Sequence, residues 1–390
     1  MMQRGVILIK ESINFLKDII RINSINPPGN EIFVARAIAE KLREYGIEST
    51  LRPFDSNRAY LVARIKGVGH KKSLVFCGHM DTVSVGEVPW EHDPFGAQEI
   101  DGSIYGRGSA DMKGGLAALI MAMIEVAKSG VRLEGDLVLA ATAGEEVECI
   151  GASIMVQDGV LKDAGAMIIA EPSNGEIFVT HKGALWLEII SYGKTAHGSM
   201  PEQGINAIDN MSLFISALHN KFKFNYQEDS LLGGPTINVA TISGGIQTNV
   251  VPDMCKLQID IRTVPGQIHQ EILMDIKTLL SEIELSSNSK FEVKVLNNKV
   301  AVKHLEGDQF TALALSTATE LFGREYEGKG VRYCTDASIF VPGFNNELPV
   351  IICGPGEETQ AHKPDEYVKI NKYIDCIKLY TEIALRYLSK

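Results

Sequence analysis

Apolar positions follow two different periodicities along this chain, and the change between them divides it. Up to about residue 180, short continuously apolar runs at 74–77, 137–140 and 167–170 alternate with helical patterns such as 116–127, which follows a Gly114–Gly115 pair. Runs of this kind suit strands buried on both faces of a parallel sheet, with helices as crossovers. A similar run returns at 349–352. Near the N-terminus, Ile13, Leu16, Ile19 and Ile20 are interleaved with Glu11, Lys17 and Asp18, which predicts an amphipathic helix rather than a signal peptide.

From 181 to 297 the texture changes. Leu257, Ile259 and Ile261 alternate with Gln258, Asp260 and Arg262, the mark of a half-exposed antiparallel strand. The segment reads as strand 184–192, helix 205–221, strand 235–243, strand 254–263, helix 267–283 and strand 291–296. This is a ferredoxin-like βαββαβ order. Ile205, Ile208, Met211, Ile215 and Leu218 are expected to form the buried stripe of the first helix. The expected fold is therefore α/β: a mostly parallel-sheet catalytic domain (1–180 and 298–390) carrying an inserted α+β domain (181–297).

With 390 residues, 45% hydrophobic and 22% charged, the chain has the balance of a globular protein with a sizeable core. Thirty-eight Lys and Arg against 49 Asp and Glu leave a formal charge of −11, which argues against binding nucleic acid or an anionic membrane through bulk charge. No apolar run reaches the roughly 18–20 residues of a membrane span. Six dispersed cysteines (77, 149, 255, 334, 353 and 376) form no CxxC pair and read as buried thiols of a reducing, cytoplasmic setting.

Acids and histidines follow the apolar runs. Residues 74–77 lead to His79 and Asp81, 137–143 to Glu145 and Glu146, and 167–170 directly to Glu171; 349–353 leads by way of Gly354 and Gly356 to His362. Open parallel sheets bind ligands beyond the carboxyl ends of their strands. Each residue alone could be an ordinary loop group or solvated charge pair; four strands delivering them to one edge point to a site. His79 beside Asp81 suits a metal-ligating imidazole whose second nitrogen is held by a carboxylate. Of two adjacent acids such as Glu145 and Glu146, one could hold metal while the other serves as general base, because neighbouring extended residues point in opposite directions. Asp111 lies in a glycine-rich stretch that is not a phosphate loop, since GK[ST] is absent, and not a dinucleotide fingerprint, since Asp111 stands where the third glycine belongs. An Asp held there suits a ligand shared by two metals. HExxH is absent.

Seven ordered motifs make the resemblance specific: GHMDTV (78–83), YGRGSADMKGG (105–115), AGEE (143–146), AEPS (170–173), AHGSMPEQGINAI (196–208), TNVVPD (248–253) with DIR (260–262), and GPGEETQAHKPDEY (354–367). Together they resemble the M20 metallopeptidase and amidohydrolase family of acetylornithine deacetylase, succinyl-diaminopimelate desuccinylase, aminoacylase and carboxypeptidase G. The resemblance implies that His79, Asp111 and Glu171 hold one metal and Asp111, Glu146 and His362 the other. It makes Glu145 the base, Asp81 the orienting partner of His79, and His197 an oxyanion donor reaching into a partner subunit. Asn249 and Arg262 would contact the substrate carboxylate. Two zinc ions per subunit are implied, with cobalt or manganese as substitutes, and attack on an amide by metal-bound hydroxide. The inserted domain would act as lid and homodimer interface. The implied substrate is an N-acyl amino acid, with a dipeptidase or carboxypeptidase as the alternative; Glu171 favours the deacylases, because many peptidase relatives have Asp there. A catalytically silent binding protein would not need Glu145. His92, His181 and His304 are expected to be structural.

Overall fold

The computed structural model describes residues 2–389, with side chains from residue 9 onward. The chain divides into two compact units, Met1–Thr180 with His304–Gly330 and Thr335–Lys390, and His181–Lys303 with Val331–Cys334.

The first unit is built on an eight-stranded mixed sheet. Its order is Ser49–Asp55, Arg58–Ile65, Leu137–Thr142, Ser73–His79, Ala164–Ile169, Val350–Ile352, Phe178–His181 and Lys329–Val331. The four central strands are mutually parallel, whereas the Ser49–Asp55 and Arg58–Ile65 hairpin and the Phe178–His181 strand pair antiparallel. Every residue of Ser73–His79 and Leu137–Thr142 is buried, as a sheet covered on both faces requires. Leu74, Phe76, Leu137, Leu139 and Ile168 join Leu116, Leu119, Ile120 and Met123 of helix Lys113–Ser129 and Tyr380 and Ile383 of helix Ile370–Leu388 in one core. Leu16, Ile19 and Ile20 bury the inner stripe of helix Met2–Arg21 in it. Periodicity gave no sign of the Ser49–Asp55 hairpin or of a small sheet made of Tyr367–Lys369, Ser103–Tyr105 and Gln98–Ile100, whose three-residue strands are too short to show a period.

The second unit has a four-stranded antiparallel sheet in the order Thr236–Gly244, Met254–Thr263, Gly183–Tyr192, Lys290–Lys299. Helices Ala207–Asn220 and His269–Ser287 pack on one face, where Leu257, Ile259 and Ile261 are buried against Met211, Phe214, Ile272 and Ile276. The buried stripe of Ala207–Asn220 differs from the expected one. Asn206 caps the helix by accepting the N–H groups of Ile208 and Asp209, so the helix starts at Ala207. The inward face is Ala207, Asn210, Met211, Phe214 and Leu218, leaving Ile208 37% exposed. The larger Phe214 ring takes the place expected for Ile215.

Among the described residues, no helix is long and apolar enough to cross a membrane. Five of the six cysteines are buried, Cys334 is partly exposed, and all six are free thiols.

Candidate metal centre

Strand register puts the expected ligands at one edge. His79, the last residue of its strand, pairs with Thr142, just before the 143–146 turn; Cys77 and Ile352 both align with Ile169, two residues before Glu171. The approach beneath Glu171 is close. A Cβ on Gly115 would lie 1.9 Å from the Ala170 carbonyl oxygen, and one on Gly354 would lie 2.4 Å from that of Glu171.

Asp111 lies between two imidazoles. Its Oδ1 is 3.3 Å from His79 Nε2, and its Oδ2 is 3.2 Å from His362 Nε2. His79 Nε2 is also 3.7 Å from Glu171 Oε1, and His362 Nε2 is 3.2 Å from Glu146 Oε2. Two histidines and three carboxylates thus fall into two sets that share Asp111. His79 Nδ1 lies 2.9 Å from the backbone carbonyl of Asp81. A carbonyl can only accept, so Nδ1 carries a proton and Nε2, on the side of the carboxylates, is the nitrogen left to ligate a metal once its own proton is displaced.

The orienting contact therefore comes from the Asp81 main chain; its carboxylate, 3.6 Å from Nδ1, is engaged elsewhere. Oδ1 accepts the N–H groups of Gly144 and Glu145 at 2.8 and 3.2 Å, and Oδ2 accepts that of Glu146 at 3.3 Å and the Asn26 amide at 3.0 Å. Asp81 thereby shapes the turn that presents Glu145 and Glu146.

Glu145 is buried, and its ligand atoms come within 4.8 Å of those of His79 and Glu171. Its Oε1 also takes a 3.5 Å contact from the Cys149 thiol, and a carboxylate of Asp336 lies in the same small group. The Thr142 hydroxyl donates to Asp336 at 2.5 Å, which ties Asp336 to the end of the Leu137–Thr142 strand.

Burial, and then the Asp111 charge, push Glu171 well above the usual carboxylate range and Glu146 up to about 7. Burial acts against ionised Asp111 too, but hydrogen bonds from His362 and His79 outweigh it and hold that carboxyl far below its ordinary value. Burial disfavours a charged His79, yet the carboxylates led by Glu171 override it and raise it well above normal. Hydrogen bonds to Asp111 and Glu146 raise His362 to about 10. So many acids in one dry pocket call for a compensating cation. The donor set fits divalent metal ions, and Glu146 Oε1, buried without a hydrogen-bond partner, is free to ligate one.

His197, Asn249 and Arg262 belong to the second unit. His197 is exposed; its Nδ1 accepts the Ser199 N–H at 3.2 Å and lies 2.8 Å from the Ser199 hydroxyl. The proton is therefore on Nε2, available as a donor. His197 pairs with Val250, and the Gly198 N–H donates to the Asn249 carbonyl at 2.8 Å, so His197 and Asn249 are neighbours. Arg262 is held at 3.0 Å by Asp260, which also accepts the Trp186 indole N–H. His92 packs edge-on against Tyr105, and the His181 Nδ1 bonds the Lys182 carbonyl.

Sequence reasoning passed over Arg107 and Glu366. Both stand in quoted motifs, but their partners are remote in sequence.

Residues 75–386 match the profile of peptidase family M20/M25/M40. Over 420 aligned positions the chain is 32% identical to a protein of Staphylococcus aureus strain MSSA476 named "Probable succinyl-diaminopimelate desuccinylase", with 98% of each chain covered. It is 31% identical to the acetylornithine deacetylase of Proteus mirabilis strain HI4320, with 85% of this chain and 84% of that one covered. Among solved structures, the M20 family metallo-carboxypeptidase Sso-CP2 of Sulfolobus solfataricus shares the fold, with a TM-score of 0.79 at 21% identity over 96% of this chain and 98% of the other.

Proposed function

The chain belongs to peptidase family M20/M25/M40, a family of metal-dependent hydrolases, and from that premise we propose that it removes the acyl group from N-acyl amino acids. The observation that carries the chemistry is Asp111 presenting one oxygen to each of two histidines, with buried Glu145 alongside. The choice of a deacylase is supported by Glu171 in place of Asp and by the names of the two curated relatives.

On this reading His79, Asp111 and Glu171 hold one metal, and Asp111, Glu146 and His362 the second. Mixed imidazole and carboxylate donors suit zinc, with cobalt or manganese as substitutes. Bound there, the ions supply a Lewis acid for the amide carbonyl and a water acidic enough to attack near neutral pH. Glu145 takes the proton of the attacking water and delivers it to the departing amine. His197 donates from Nε2 to the developing oxyanion. Arg262, with Asn249, receives the carboxylate of the amino-acid portion, for which a guanidinium fork is well shaped. The second unit serves as lid and as the interface of a homodimer, and the enzyme works in the cytoplasm.

A second reading, a dipeptidase or carboxypeptidase with the same machinery, is favoured by the peptidase among the fold neighbours. The test is hydrolysis by metal-stripped and zinc-reloaded protein across N-acetyl, N-succinyl and N-formyl amino acids and dipeptides. Zinc-dependent release from one acyl class supports the deacylase. Cleavage of dipeptides alone transfers the assignment to the peptidases, and silence with two metals bound removes both.

A further inference from the structure

Two buried charged residues outside the ligand set tie the metal-type loops together. Arg107 is 1% exposed, Glu366 is fully buried, and they form an ion pair across 259 positions of chain. The other Glu366 oxygen accepts the N–H groups of Ala110 at 2.8 Å and Asp111 at 3.0 Å. The Glu366 carbonyl accepts the N–H of Gly106. Arg107 donates from Nη1 to the carbonyl of Lys363 and from Nε to that of Ser84, both at 3.2 Å, while the Trp90 indole lies 5.0 Å from its guanidinium.

These contacts reach three loops: the one after His79 and Asp81, the one bearing Asp111, and the one bearing His362. His362 itself has φ +65, a conformation that non-glycine residues rarely adopt and that persists only where surrounding contacts impose it. The Arg107 bond to the next residue's carbonyl is such a contact. A buried ion pair is a poor source of stability, since well-packed apolar residues often do as well. What it adds is direction, through a planar fork of donors and a carboxylate with two acceptor oxygens.

We propose that Arg107 and Glu366 are positioning residues: a buried clamp that holds the backbones of Asp111 and His362 in register, so that the shared ligand and the outer histidine meet with both metal sites preformed. The inference rests on the assignment of Asp111 and His362 as metal ligands. Neither clamp residue faces substrate; both act through the ligands.

The test is titration of the metal-stripped protein with zinc against a chromophoric chelator, for wild type, Glu366→Gln, Arg107→Lys and His362→Ala. Circular dichroism and melting of the metal-free proteins are recorded alongside. Glu366→Gln keeps an acceptor for the two N–H groups but loses the charge, and Arg107→Lys keeps the charge but loses the fork. The expected result is folded variants whose weaker zinc dissociation constant rises roughly 10- to 100-fold. In the zinc-loaded variants kcat should fall, with KM within about threefold of wild type.

Wild-type zinc affinity in both folded clamp variants, with only the metal-free melting temperature lowered, overturns the clamp. Failure of both to fold overturns it as well, because the pair is then an element of stability. His362→Ala separates the two levels. If it loses a zinc while the clamp variants do not, the clamp alone has failed. If it binds zinc as wild type does, the ligand assignment has failed and the clamp with it.

Discussion

The carboxylate of Asp81 accepts the backbone N–H of Gly144 at 2.8 Å, across 63 positions of chain, and the same group takes the N–H of Glu145 and Glu146. Asp81 thus serves the turn carrying the proposed base and one proposed ligand, while its carbonyl serves His79. In Asp81→Asn the amide nitrogen replaces one acceptor with a donor, facing N–H groups. A kcat loss of roughly 10- to 100-fold is expected, with the His79 metal retained because the carbonyl is unchanged. Wild-type turnover in steady-state assays of a folded Asp81→Asn protein refutes a role for the carboxylate.

Glu145 and Glu146 are adjacent but assigned different work. Glu145→Ala should lower kcat by about 10²- to 10⁴-fold or more while leaving metal content near wild type. Glu146→Ala should instead lose metal. Elemental analysis after dialysis decides: loss of metal from Glu145→Ala would sink its assignment as base.

The Ser199 N–H at Nδ1 leaves the His197 proton on Nε2. His197→Ala is therefore expected to reduce kcat by roughly 10²-fold or more, as for removal of an oxyanion donor. Metal binding should be unaffected. An unchanged kcat under saturating substrate removes the role.

Replacing a helical glycine by alanine ordinarily stabilises by about 0.5–1 kcal/mol. Gly115→Ala should do the reverse, because the added Cβ would lie 1.9 Å from the Ala170 carbonyl oxygen. Overpacking of this kind costs roughly 1–3 kcal/mol and displaces the residue before Glu171. A lowered denaturation midpoint together with weaker metal binding is the expected pair of results. Stabilisation would show that the approach is not as close as described.

Removal of metal should make stability fall with pH. Burial and the Asp111 charge raise Glu146 from 4.5 to about 7, and hydrogen bonds to Asp111 and Glu146 raise His362 from 6.5 to about 10. Both groups bind protons more tightly when folded. The Glu146 contribution is complete below 4.5 and lost as pH rises through about 7; that of His362 is complete below 6.5 and lost through about 10. Bound metal replaces those protons, so the melting gap between metal-loaded and metal-free protein should widen from about pH 5 to about pH 8. A metal-free melting temperature that is flat or rising over that range contradicts this account.

Much of the architecture could be read from local pattern. A strand buried on both faces must be apolar throughout, so 74–77, 137–140 and 167–170 announced themselves, and the first polar residues after them had to lie at the carboxyl edge. Alternation at 257–262 likewise disclosed a one-sided sheet. Edge elements were hidden: three-residue strands are too short to carry a period, and the return of Val331–Cys334 to the second unit is signalled by no local feature. Ile208 misled because the inward face is chosen by packing on the sheet, where Ala207, Met211, Phe214 and Leu218 are the residues buried.

The sequence by itself determined which side chains have metal-ligand and acid–base chemistry and which strand ends deliver them, because both follow from residue type and from periods a few residues long. Only the tertiary structure decided how those groups are shared. The two oxygens of Asp111 are apportioned to separate histidines, the Asp81 carboxylate is committed to the 144–146 turn, and Arg107 meets Glu366 across 259 positions. Hydrogen-bond partners at that separation are chosen by chain crossings and by the burial that forbids an unpaired polar group, and neither is encoded in local spacing.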